Sequence, residues 1–197
     1  MIHVEIGATK AVQERLKTTK IDEIKGASLV FCWDTHLTKI KGRNVLFIVN
    51  ASNRYTIAMT DIEPRNWNYY TMYISRVIHG VMQEMGYSED QIGQYFKMSG
   101  DTTVTKTHGR KSVGGINRMA MDAQYFGKKL EKEAKYQWEL SEYLNRDICQ
   151  PEGFDAYGYP SKFFKLDMER LGIISKRKPA KIIDFTRHID TNRSTNH

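Results

Sequence analysis

SLVFCWDTHLTKIKGRNVLFIVNASNRYTIAMT, residues 28–60, decides the fold. SLVFCW, NVLFIVN and RYTIAMT are three runs rich in β-branched and aromatic residues, the composition that suits a pleated, half-buried surface. Turn signals at Lys41-Gly42 and at Asn50–Asn53 separate them. The short connections predict an antiparallel meander, with the near-continuously apolar VLFIV as a central strand covered on both faces.

Outward from this stretch, the pattern supports an α+β domain. Ile2 to Ile6 alternate apolar and polar residues, which predicts a short strand with His3 facing outward, and Thr9 is placed to cap a brief helix through Leu16. After Pro64 and Trp67, the residues Tyr70, Tyr73, Ile74, Val77, Ile78, Val81, Met82 and Met85 follow helical spacing and predict a core-facing stripe that ends at Gly86. Ser88 with Gln91 three residues later is a capping-box start for a second helix. TTVTKT then predicts one more strand, followed by a helix capped by Ser112 that carries Ile116, Met119, Ala123 and Phe126 on one face. Charged helix formers from Lys128 to Ile148 predict a long helix, PEGFDAYGYP (151–160) a loop, and Phe163–Leu171 a short helix. The expected architecture is an antiparallel sheet of about four to five strands packed against several helices. Residues 1–126 form its core domain, and 127–197 a helical extension with a basic tail packed on that core.

Composition bounds the function. The 197 residues carry a net charge of +7, which favours a polyanionic or acidic partner. No apolar stretch approaches the length of about 20 residues that crosses a membrane, and no secretory signal precedes the first strand. These features lead to the expectation of a cytoplasmic protein, in a bacterial or phage-infected cell, with no membrane partner. The two cysteines, Cys32 and Cys149, make neither a disulfide framework nor a zinc motif, and Cys32 reads as a small buried hydrophobe. Neither a metal nor a cofactor is expected.

TVTKTHGRKSVGGIN (103–117) carries the best candidate site. Lys106, His108, Arg110 and Lys111 cluster in a window without Asp or Glu between Asp101 and Asp122. A new helix N-terminus follows, where free N–H groups and the positive dipole end attract anions. Gly114 and Gly115 each cost the helix about 1 kcal/mol against alanine. They serve either approach of a ligand to the backbone or close packing of helix on sheet. The loop is not a phosphate-binding P-loop, since Val104 stands where the first glycine is required. His108 is a weak candidate for a general acid or base, with Lys106 and Arg110 stabilising a phosphorane-like transition state. Two further acid-free windows, Thr35–Thr60 and Arg170–Ile183, carry cations that also serve as ordinary edge or tail charges.

IGATKAVQERL, W-x-x-H-L with VLFIVN-x-x-x-RY, and TKTHGRKSVGGIN together resemble the family of domain of unknown function 6933, over residues 1–126. Its members occur in bacteria, phages and plasmids. The motif positions are Lys106, Thr107, Arg110, Ser112, Val113, Gly114 and Asn117, with Lys111 inserted before the serine and Asp34 standing where the family tends to place histidine. The resemblance implies a shared fold unit, a phage or mobile-element setting, and a site drawn from Lys106 to Asn117, with Trp33, His36, Asn50 and Arg54 as a secondary set. It implies no mechanism. The expected function is non-enzymatic binding of nucleic acid or a nucleoprotein target through this basic face. The alternatives are a metal-independent nuclease or nucleotide-acting enzyme using His108, and a stoichiometric protein inhibitor of a host defence complex.

Overall fold

A computed structural model describes residues 4–17, 21–23 and 26–175. They form five strands and seven α-helices. The strands are β1 (Val4–Ala8), β2 (Cys32–Ile40), β3 (Arg43–Asn50), β4 (Thr56–Thr60) and β5 (Thr102–Thr105). The helices are α1 (Lys10–Leu16), α2 (Pro64–Asn68), α3 (Tyr70–Glu84), α4 (Glu89–Ser99), α5 (Arg110–Gln124), α6 (Trp138–Asn145) and α7 (Pro160–Arg170). His3, expected to face outward, and the basic run at Lys176–Lys181 lie outside the described residues.

The sheet order is β4-β3-β2-β1-β5. The predicted meander is present, with β2, β3 and β4 pairing antiparallel. The sheet as a whole is mixed rather than antiparallel, because β1 runs parallel to both β2 and β5. The reason is the connection: a strand that reaches its neighbour through a helix returns in the same direction, and α1 stands between β1 and β2. β5 then docks on the free side of β1 after three further helices.

Both faces of the sheet are covered. On one, Ile6, Trp33, Leu46 and Ile57 pack against α1, α3, α4 and α7, through residues such as Val12, Ile74, Ile78, Tyr95 and Phe164. The helical stripe of α3 is core as its spacing predicts, and the capping box of Ser88 and Gln91 forms at the start of α4. On the other face, Val45, Phe47, Val49 and Ala58 pack against Ile116, Met119 and Ala123 of α5 and Leu140 and Leu144 of α6. The residues after Phe126 therefore enter both cores. That second face is apolar over β3 and β4 and at Ile40, the last residue of β2. Over β1, β2 and β5 it presents Glu5, Gly7, Cys32, Asp34, Thr103 and Thr105, brought side by side by the parallel register.

Two local expectations change. The segment 127–137 is not helical, and α6 begins only at Trp138. Its backbone runs along the outer edge of β4: the Thr60 amide donates to the Lys135 carbonyl at 2.7 Å and the Gln137 amide to the Ala58 carbonyl at 2.9 Å. Satisfying an open strand edge outweighs the helix propensity of this stretch, which tertiary contacts readily override. The N-cap of α5 is Gly109, with φ +95°, and Ser112 lies one turn inside the helix.

Candidate functional site

The loop from β5 to α5 folds back over the polar half of the sheet and inserts His108 between two carboxylates. The imidazole side chain is 3% exposed and the carboxylates of Glu5 and Asp34 are fully buried. Nδ1 lies 2.7 Å from Asp34 Oδ1, and Nε2 lies 3.0 Å from Glu5 Oε2. With an acceptor at each ring nitrogen, the imidazole satisfies both only as the doubly protonated cation. Burial pulls its pKa down, but hydrogen bonding to Asp34 and Cys32 and the Asp34 charge overcome this and hold it at about 10.

Asp34 collects further donors. The His108 amide approaches both carboxylate oxygens at 3.2 Å, and Ser112 Oγ donates to Oδ2. The positive end of α5 thus has an anion already in place, supplied by β2. Glu5 is held in turn by the Ala27 amide, which donates to Oε1 at 3.2 Å. Cys32 lies beside Glu5 in register, and its Sγ, a Glu5 oxygen and a His108 nitrogen all lie within 4.8 Å of one another. Burial pushes the Cys32 thiol pKa up, against the lowering effect of the neighbouring His108, and Sγ points to the Ser28 carbonyl at 3.5 Å. Gly7 completes the arrangement: a Cβ there would stand 1.8 Å from Asp34 Oδ1.

The residues expected to form one anion site are divided by this geometry. His108, Ser112 and Gly115 turn inward. Lys106, Arg110, Gly114 and Asn117 are exposed or half-buried at the surface, as is Thr107. Lys111 is exposed but leans toward the 151–160 loop, 3.4 Å from the Pro151 carbonyl and 3.7 Å from Glu152. Of the two readings of the glycine pair, Gly115 takes the packing one: the Arg54 guanidinium lies under it and donates to its carbonyl at 2.9 Å. Gly114 faces open space. A general acid or base must come within hydrogen-bond reach of its substrate, and both His108 nitrogens are occupied by the chain's own carboxylates.

Of the secondary set, Arg54 reaches this segment beneath Gly115, and the other three make their contacts elsewhere. Trp33 lies on the opposite face of the sheet and donates Nε1–H to the Tyr95 hydroxyl at 2.9 Å. Asn50 holds the β3–β4 turn, its Oδ1 accepting from the amides of Ser52 and Asn53. His36 is half-buried, its pKa lowered by burial, with Nδ1 3.3 Å from Thr9 Oγ1. Sequence reasoning does not single out Glu5, Cys32 and Asp34, because each reads as an ordinary strand residue. The available signal is Gly7, a lone glycine in a strand, which marks a place where another group approaches closely.

Comparison with curated proteins and with solved structures finds no match to either. A family model does match, over residues 5–163, from β1 through the first residues of α7 and therefore across every element of the buried cluster. The chain belongs to the family described as Domain of unknown function (DUF6933).

Proposed function

We propose that this protein binds nucleic acid through the exposed rim of the β5–α5 loop, with Lys106 and Arg110 as the principal phosphate contacts and Lys111 at the margin. One observation carries the reading. Among the described residues neither Lys106 nor Arg110 has an ion-pair partner, although both are exposed and Arg110 occupies the first turn of α5. Cations there oppose the helix dipole and lower stability rather than raise it. Asp34 neutralises the helix end from inside, which leaves the outward cations free for an external anion. Gly114 and Asn117 lie along the same helix at its surface. The net charge of +7 acts in the same direction by drawing a polyanion to the surface. The test is binding to short single-stranded and duplex DNA and RNA as a function of salt. A steep loss of affinity with rising salt, made shallower by reversing Lys106 and Arg110, is the expected result. Absence of binding at low salt overturns the proposal.

A further inference from the structure

We propose that Glu5, Cys32 and His108 form a buried site for a divalent transition-metal ion, zinc by the chemistry of its donors. The three come from β1, β2 and the loop after β5, and their ligand atoms lie within 4.8 Å of one another. Tetrahedral zinc, with bonds of about 2.0–2.3 Å, places ligand atoms about 3.3–3.7 Å apart. The Nε2–Oε2 separation of 3.0 Å stands just below that range and the 4.8 Å bound above it. Small side-chain rotations therefore close the set.

The donors select the metal. One thiolate, one imidazole and one carboxylate suit zinc, whereas magnesium and calcium take oxygen ligands. The surroundings are those of a metal histidine. The nitrogen that faces Glu5 is Nε2, and the opposite one, Nδ1, stands 2.7 Å from Asp34. A carboxylate at the far nitrogen fixes the tautomer and aims the ligating one. Asp34 is thus a positioning residue. Thr103 Oγ1, on the strand paired with Glu5, is buried without a hydrogen-bond partner among the described residues and offers a polar contact for a fourth, water ligand.

Charge balances as well. Metal entry removes the proton of Nε2 and the proton of the Cys32 thiol, so two positive charges arrive as two leave. The buried cluster keeps its net charge, and the Nδ1–H···Asp34 bond is retained.

The experiment uses the full chain, unfolded in chelator and refolded with cobalt(II) or zinc. The expected result is one equivalent of metal per chain, with a thiolate-to-cobalt charge-transfer band in the near ultraviolet. The band persists in Cys149→Ser and is lost in Cys32→Ser and in His108→Gln. Should Cys32→Ser fail to fold, the band in Cys149→Ser still assigns the thiolate to Cys32, because the chain has only two cysteines. A folded wild type without the band, or a band that survives in folded Cys32→Ser, overturns the site. Nucleic-acid binding is read separately, so failure of either proposal leaves the other standing.

Discussion

The carboxylate of Asp34 occupies the space that a side chain on Gly7 would fill. A Cβ at Gly7 would lie 1.8 Å from Asp34 Oδ1 and 3.0 Å from the backbone of Thr107. Neither neighbour yields easily, since one oxygen is held by the His108 ring and amide and the other is backbone. Gly7→Ala therefore has to displace a buried, hydrogen-bonded charge. The expected cost is about 3 kcal/mol or more, read as a drop in the denaturation midpoint. A change under about 0.5 kcal/mol would show that the loop is not packed on the sheet in this way.

The adjacent glycines of α5 give a matched comparison. At Gly114 an added methyl meets nothing within 4 Å, so Gly114→Ala gains helix propensity and stabilises by about 0.5–1 kcal/mol. At Gly115 the methyl would meet the Arg54 guanidinium at 2.4 Å. Gly115→Ala is expected to destabilise by about 1–3 kcal/mol despite the same gain in propensity. Equal effects at the two positions would contradict the packing of Arg54 beneath the helix.

These glycines also show where the sequence is legible. Helical spacing identifies the buried face of α3, and the pair Ser88 and Gln91 marks the start of α4, because both signals lie within one element. The meander is readable for the same reason: short turns join its strands. The buried cluster is different. Glu5 and Asp34 look like solvent-facing strand residues until β1 and β2 pair in parallel, and their partner His108 is supplied by the chain 103 residues after Glu5. Polar residues on a strand mark an exposed face only when nothing folds over it, and here the β5–α5 loop does. The non-helical segment 127–137 follows the same logic, since the open edge of β4 that captures it belongs to a distant stretch.

The pH dependence of stability isolates the ionic contact. The His108 pKa is raised to about 10 from an ordinary value of 6.5, so its contribution is fully present below about pH 6.5 and is lost as pH rises through about 10. In chelator, where the metal-free chain titrates, the stability difference between wild type and His108→Gln is expected to be on the order of a few kcal/mol near pH 6 and to shrink as pH approaches 10. Taking the difference removes titrations common to both chains. A difference that stays flat over this window would place a neutral imidazole between the carboxylates.

Tyr95 tests the opposite face. Its hydroxyl accepts from Trp33 Nε1 at 2.9 Å and donates to the Val30 carbonyl at 2.7 Å, and the Tyr95 and Trp33 side chains are buried. Tyr95→Phe leaves the buried Trp33 N–H without its acceptor, while the Val30 carbonyl keeps the Asn50 side-chain amide at 2.8 Å, for a loss of about 1–2 kcal/mol. Equilibrium unfolding followed by Trp fluorescence reads it directly. A neutral effect would mean that water replaces the hydroxyl.

The rim cations should act on binding without acting on folding. Lys106 and Arg110 are exposed and outside any ion pair among the described residues, so charge reversal at both is expected to leave stability within about 0.5 kcal/mol. Removing the positive charges should relieve their opposition to the helix dipole, and Glu at 110 fits the first turn better than Arg. Every phosphate that the protein no longer neutralises lowers the slope of log affinity against log salt by about 0.9 on duplex DNA. The double reversal should therefore flatten the slope by about 2 while the unfolding midpoint holds or rises. Unchanged slope with a folded variant would move the phosphate-binding surface elsewhere. A parallel loss of stability would make these side chains part of the fold.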